Sequence, residues 1–285
     1  MITREVEASA VADLALAPPR VALAVTVDDE IHLLPINSSV ERPGDLASSA
    51  RLVRVPREAP NLADRNVVIV ADDGPQWFRL RSLTVRGTAA ATGDRSYRVV
   101  PTRVVAWDYG SLRDLPTPPE TPRPRPPLFT GADHRDSRPL RSPNLEAALA
   151  KSRVMVFATR SRKGTPFAVP LWFVPHRGHL YATTAASSWT IRNLAYCSQA
   201  ALLLGGEGAH DNGRLLVRGS ARAVPGFPPG AVLAQLAWRY YLHPRFAAVE
   251  LSHLQLWARR MRYYGQSQPG YVVITPQSAT ECRTP

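Results

Sequence analysis

Apolar positions in this chain fall in short β-branched runs broken by turn residues, the pattern of an antiparallel β protein. Residues 21–27 and 31–37 form two such runs on either side of Asp28-Asp29-Glu30, a hairpin signal. Runs at 67–70 and 77–89 follow, split by the turn Asp72-Asp73-Gly74-Pro75, and a valine-rich strand over 97–107 closes the set. Only 45–64 offers a helical alternative in this half, and its periodicity is weak.

The second half predicts a short helix over 144–151 with Asn144 as its cap, Pro143 preceding it. Strands at 153–160 and 166–174 flank Arg162-Lys163-Gly164, and Pro175-His176-Arg177-Gly178 turns the chain into a strand at 179–184. The stretch 180–194 starts as a strand, passes through small hydroxyl residues and enters a helical pattern, with Ser187 or Ser188 placed as N-cap. Unpaired first-turn N–H groups beside hydroxyls suit an anion, and Arg192 could add donors; an ordinary capped helix has the same signature. Strands at 200–204 and 214–224 enclose a glycine-rich loop, 232–242 and 246–262 read as helices, and 271–274 as a last strand.

A length of 285 residues suits two domains. Seven prolines between Pro116 and Pro127 can neither pair in a sheet nor continue a helix, so the boundary falls there: an N-terminal domain over 1–112, a linker over 113–142 and a C-terminal domain over 143–285. No apolar run approaches the ~18 residues of a membrane span, and residues 1–10 lack the apolar core of a signal peptide. Two cysteines, Cys197 and Cys282, match neither a disulfide framework nor a metal motif, which makes the cytoplasm the expected compartment. The net charge is +12, carried almost wholly by arginine, with Lys151 and Lys163 the sole lysines. The arginines are scattered, which predicts background attraction to nucleic acid but no specific nucleic-acid site.

The halves repeat each other. Asn61-Leu62-Ala63 recurs as Asn193-Leu194-Ala195, and Val85-Arg86-Gly87-Thr88-Ala89 as Val217-Arg218-Gly219-Ser220-Ala221, both at an offset of 132. Ala24-Val25-Thr26 and Pro35 align with Phe157-Ala158-Thr159 and Pro170 at offsets of 133 to 135. Two matches at one spacing in the same strand context point to a duplicated unit packing about a pseudo-two-fold axis. The expected fold class is β-rich α+β: two tandem β-barrels forming an intrachain pseudo-dimer, with peripheral helices in the C-terminal half.

The succession of a strand ending near Pro170, a turn, Leu180-Tyr181-Ala182-Thr183-Thr184, a hydroxyl turn, Arg192-Asn193-Leu194-Ala195 and Val217-Arg218-Gly219-Ser220-Ala221 resembles the FMN-binding split β-barrel family, which includes pyridoxamine 5'-phosphate oxidase and deazaflavin-dependent reductases. The resemblance covers about 144–224 well and 21–107 faintly. It implies an oxidoreductase transferring hydride to or from a small organic substrate, with FMN as cofactor or coenzyme F-420 in its place, and haem as a further alternative. It also implies that Thr183, Thr184, Ser187 and Ser188 hold the flavin phosphate, that Pro170, Leu171 and Trp172 edge the ring, and that Trp189, Arg192 and Asn193 complete the site. Family members commonly carry a cation near the place of Trp189, and Arg192 would substitute for it. The nearest first-copy equivalent in the sequence is Ser48-Ser49-Ala50-Arg51, so one good site is expected, built by the second copy and walled by the first. A non-catalytic barrel that binds a small ligand, haem or a protein partner is the alternative. Whether copies of the chain associate further is left open.

No catalytic triad or metal cluster emerges. His176 and His179 read as turn histidines, and His243 as a helix C-cap or a carboxylate ligand. His243 and His253 are the remote candidates for haem. Arg259-Arg260-Met261-Arg262-Tyr263-Tyr264 reads as a solvated helix face or the wall of an anionic site. Trp172, Trp189, Trp238 and Trp257 read more readily as core, and Cys197 as a buried thiol.

Overall fold

The computed structural model describes residues 3–74, 79–112, 138–206, 213–258 and 268–285. Among them the chain forms two antiparallel sheets of the same topology. The first contains β1 (Thr3–Val6), β2 (Arg20–Val27), β3 (Glu30–Pro35), β4 (Asn37–Val40), β5 (Arg51–Arg54), β6 (Asn66–Asp72), β7 (Arg81–Gly93) and β8 (Ser96–Leu112). The second contains β9 (Val154–Arg160), β10 (Pro166–Trp172), β11 (Val174–His176), β12 (His179–Ala185), β13 (Gln199–Gly205), β14 (Gly213–Pro225) and β15 (Pro269–Arg283). The orders β3-β2-β6-β7-β8-β5-β4 and β10-β9-β13-β14-β15-β12-β11 superpose strand for strand, with β1 added on β8. Each sheet curls over its own core as a split half-barrel.

The runs without alternation in the sequence are explained by burial on both faces. Leu23, Val25, Val67 and Ile69 face the core of the first barrel, and Phe157, Leu202 and Leu204 that of the second. The intervening residues Ala22, Ala24, Val68 and Val70 pack against Val156, Ala158, Ala201 and Leu203 in a cluster shared by the two halves. Strand register makes these equivalent positions: Ala24 pairs with Val68 as Ala158 pairs with Ala201. The halves therefore bury the same patch against each other, as protomers of a two-fold dimer do. Arg20 and Arg214 each reach a backbone carbonyl across the seam. Arg20 Nη1 donates to the Val154 carbonyl at 3.1 Å, and Arg214 Nη1 to the Val21 carbonyl at 2.6 Å.

Helices are few. A 3₁₀ turn (Ala8–Val11) and α1 (Ala12–Leu16) lay Val11 and Leu14 on the first core. In the second half α2 (Pro143–Lys151) opens the unit and α3 (Trp189–Leu194) links β12 to β13. An excursion between β14 and β15 carries α4 (Gly230–Ala237), a π-helical turn (Trp238–Leu242) and α5 (Pro244–Ser252).

The structure corrects several expectations. Residues 45–64 hold no α-helix but the short strand β5. Ser142, not Asn144, caps α2, its Oγ accepting from the Leu145 N–H at 3.2 Å, so Pro143 takes the first helical position where its missing N–H costs nothing. The last strand spans fifteen residues, because its polar second half continues the pairing with β14 past the apolar stretch. Trp189 is 58% and Trp238 65% exposed rather than core, and Cys197 is half-buried. The expected linker lies outside the described residues except for its last few positions.

Candidate functional site

The hydroxyl-rich corner of the second copy forms where β12 meets α3. Ser188 is the N-cap: its Oγ accepts from the Ile191 N–H at 3.3 Å. That fixes α3 on the barrel through buried Thr190, Ile191 and Leu194. Thr183 and Ser187 are exposed at the corner, and Thr184 and Ser188 half-exposed. The helix turns Trp189 and Arg192 outward, the guanidinium lying 5.1 Å from the centre of the indole ring. Asn193 points the other way. It is buried, and its Nδ2 donates to Thr159 Oγ1 on β9 at 3.0 Å.

The remaining residues named from the sequence lie on β10. Pro170 is buried opposite Val156, and Leu171 packs on the second barrel's core. Trp172 stacks on Tyr240 of the π-helical turn, centres 4.4 Å apart and planes within 6°, and meets Tyr241 edge-on. The Tyr240 hydroxyl accepts from the Phe173 N–H at 3.0 Å and lies 2.5 Å from the Arg153 and 2.6 Å from the Phe173 carbonyl oxygens. The excursion thus clamps the end of β10 to the start of β9, and one face of Trp172 is covered by the protein itself.

The opposite groove also opens a space between the halves. Register places Arg54 and Val55 where the second copy has Thr183 and Thr184, because β5 pairs with β8 as β12 pairs with β15. Ser48-Ser49-Ala50-Arg51, the equivalent expected from the sequence, lies ahead of that corner, and Ser49 and Arg51 are buried. The first copy reaches Asn61 three residues sooner than the second reaches Asn193, and so lacks the turn that makes α3. A cleft of about 1470 Å³ opens there, between β3 and the loop after β5 on one side and α2, β14 and the end of β15 on the other. Across it Arg218 Nη2 lies 3.1 Å from His32 Nδ1. Burial first, and Arg218 second, hold the His32 imidazole below the ordinary histidine value. The same relation in the other groove joins Arg86 to Phe167, the guanidinium 5.8 Å from the ring centre.

Arg54, His32 and Arg218 were not singled out in sequence because each is one ordinary residue of a strand. The sequence did hold one usable signal: the repeat offsets change across β5 and the following loop, which marks where the copies diverge. Among the described residues no cluster of histidine, cysteine or carboxylate side chains could hold a metal, and no helix is long and apolar enough to cross a membrane. His179 Nδ1 lies 3.1 Å from Thr275 Oγ1, His176 sits edge-on to Tyr181, and His243 closes the π-helical turn. The segment Arg259–Tyr264 lies outside the described residues.

Residues 142–266 match the family model described as pyridoxamine 5'-phosphate oxidase. No curated protein matches the chain. Among solved structures, the FAD binding protein from Mycobacterium smegmatis is 25% identical over 37% of this chain and 96% of its own, with a TM-score of 0.31. HutZ, the haem storage protein from Vibrio cholerae, is 16% identical over 50% and 96% with a TM-score of 0.36. A structure titled F-420 reductase is 21% identical over 47% and 94%, with a TM-score of 0.35. The C-terminal half thus matches the pyridoxamine 5'-phosphate oxidase family model, and the N-terminal half repeats its strand order as a second half-barrel.

Proposed function

We propose that the chain is an oxidoreductase that uses FMN, or coenzyme F-420 in its place, to transfer a hydride to or from a small organic substrate. The observation that carries this reading is the accessible corner of the second copy. Thr183 and Ser187 are exposed beside the start of α3, with Arg192 one turn along. These donors fit a cofactor phosphate, by hydroxyl hydrogen bonds and by a guanidinium free to turn from Trp189. The strand β10, whose Trp172 is held by Tyr240, gives the ring a rigid edge. A flavin supplies the hydride chemistry when bound, and the protein's part is to hold, orient and shield it. Asn193 acts one step back: its bond to Thr159 keeps α3 in place.

The visible spectrum of the purified protein, alone and titrated with FMN and then with coenzyme F-420, tests this. Saturable binding of one of them, followed by reduction with a nicotinamide donor and reoxidation by an organic acceptor, is the expected outcome. Binding of neither would end the reading. Arg192→Ala should weaken FMN by about 1–3 kcal/mol, the typical effect of removing one partner of a charged hydrogen bond. Unchanged affinity would place the phosphate elsewhere.

The alternative, a barrel that binds without turnover, draws on one observation: Trp189 occupies a place where a cation would neutralise the phosphate, and Arg192 lies over its ring.

A further inference from the structure

We propose that the cleft of the N-terminal copy is a separate binding site for a small polyanion, a molecule bearing two or more phosphate or carboxylate groups. The cations come from both halves. Arg54 ends β5 and Arg57 stands on the loop after it, Lys151 ends α2, Arg218 lies on β14 and Arg283 ends β15. Arg95 braces the loop from below, its Nη1 donating to the Ala59 carbonyl at 2.6 Å.

Elsewhere in the molecule arginines find carboxylates: Arg20 with Asp72, Arg81 with Asp13 and Asp73, Arg98 with Glu41, Arg160 with Asp29. Among the described residues Arg54, Arg57, Lys151 and Arg283 have no ion pair. Glu58, Asp94 and Glu281 also line the cleft, but Glu281 accepts from the Asn144 side chain at 2.8 Å and the acids are outnumbered. Like charges gathered in a concave site focus a positive potential and raise the local concentration of anions. Arginine adds paired donors that match phosphate and carboxylate oxygens. The volume exceeds the roughly 300–1,000 Å³ of an ordinary small-ligand pocket, which suits an extended ligand reaching from Arg54 to Arg283.

Fusion makes this division possible. In a homodimer every substitution alters both grooves at once. In one chain the two grooves change independently, and here they have: Arg54 and Val55 stand where the other corner has Thr183 and Thr184, and α3 has no counterpart. The site does not depend on the flavin reading.

The test is calorimetric titration of the full chain with sodium tripolyphosphate and, separately, with tricarballylate, at a fixed ionic strength of about 0.15 M where distant charges are screened. Saturable binding of at least one is expected, and the stronger of the two names the anionic group. The double variant Arg54→Gln/Arg57→Gln and the single variant Arg218→Gln should each weaken it by about tenfold or more with the melting temperature retained. Arg177→Gln removes an equal charge from an exposed turn outside the cleft and should change affinity by less than about twofold. Three results would overturn the proposal: no saturable binding of either anion, full binding in the cleft variants, or an equal loss in Arg177→Gln. Displacement of bound FMN by tripolyphosphate would also overturn it, since one site would then serve both. Failure of FMN to bind, with tripolyphosphate still held, would defeat the flavin reading alone.

Discussion

Gly87 and Gly219 stand at one place in two copies of the same hairpin, each where the register slips by a bulge. A methyl group on Gly87 would meet the Val100 carbonyl oxygen at 2.2 Å, and one on Gly219 the Thr275 carbonyl oxygen at 2.1 Å. The backbone carbonyl cannot rotate away as a side-chain tip could, so close approach is why glycine recurs in the Val-Arg-Gly repeat. Gly87→Ala and Gly219→Ala should each destabilise by about 1–3 kcal/mol, the usual cost of overpacking. Urea unfolding measures it; unchanged midpoints would mean that the strands part without cost.

The ion pair between Arg20 and Asp72 is almost wholly removed from water, the side chains 2% and 0% exposed. Arg20 Nε donates to Asp72 Oδ2 at 3.0 Å, a second bond joins Nη2 to Oδ1, and Nη1 reaches Val154 across the seam. Arg20→Met leaves a buried carboxylate uncompensated and should cost about 3–5 kcal/mol. The double variant Arg20→Met/Asp72→Leu removes both charges and should regain much of that, because apolar pairs often replace buried ion pairs at little loss. Denaturant unfolding separates the cases: a double variant as weak as the single would show that the bond to Val154 matters more than the charge.

Those two features bear on how far the sequence could be read. The Val-Arg-Gly repeat recurs because a carbonyl so close to that glycine leaves no room for a side chain, and with the Asn-Leu-Ala match at the same offset it pointed to the duplicated barrel. The strands β2, β6, β9 and β13 were visible because two buried faces demand continuous apolar runs. What stayed hidden follows from the same physics. The strand β5 alternates buried Arg51 and Val53 with exposed Leu52 and Arg54, a pattern too short and too polar to stand out. Ser188 was legible as a cap because its hydroxyl bond is local, whereas the bond from Asn193 to Thr159 joins residues 34 apart in the chain and leaves no local signal. The cleft gathers residues from β3, β5, α2, β14 and β15, and no local pattern announces such a meeting.

Trp189 offers a gain-of-binding test of the proposed phosphate corner. Its indole is 58% exposed, so the barrel does not need it for packing. Trp189→Lys would return a cation to the start of α3 and release Arg192 from the ring. FMN affinity, followed by quenching of flavin fluorescence, should rise by about 1–2 kcal/mol, within the range of charged hydrogen bonds. A loss of affinity would mean that the ring itself carries the cofactor contact.

His32 gives the pH dependence its sign. Its Nδ1 faces Arg218 Nη2 at 3.1 Å, which suits a neutral imidazole accepting from the guanidinium. Burial and Arg218 both oppose a second positive charge there, and the carboxylates of Glu30 and Asp28 offset them only in part. The unfolded chain therefore takes up a proton near the ordinary histidine value of 6.5 while the folded chain takes it up lower. Through that window the unfolded state binds more protons, so stability falls as pH drops below about 6.5 and levels off beneath the folded value. His32→Gln should flatten this part of the stability curve, and Arg218→Gln should move the His32 resonance toward higher pH in an NMR titration. A polyanion in the cleft would reverse the balance by favouring the imidazolium. The His32 pKa should then rise on adding tripolyphosphate, and binding should tighten as pH falls from 7 to 6. A His32 that already titrates above 6.5 in the free protein would show that Arg218 does not donate to a neutral ring, and the predicted slope would change sign.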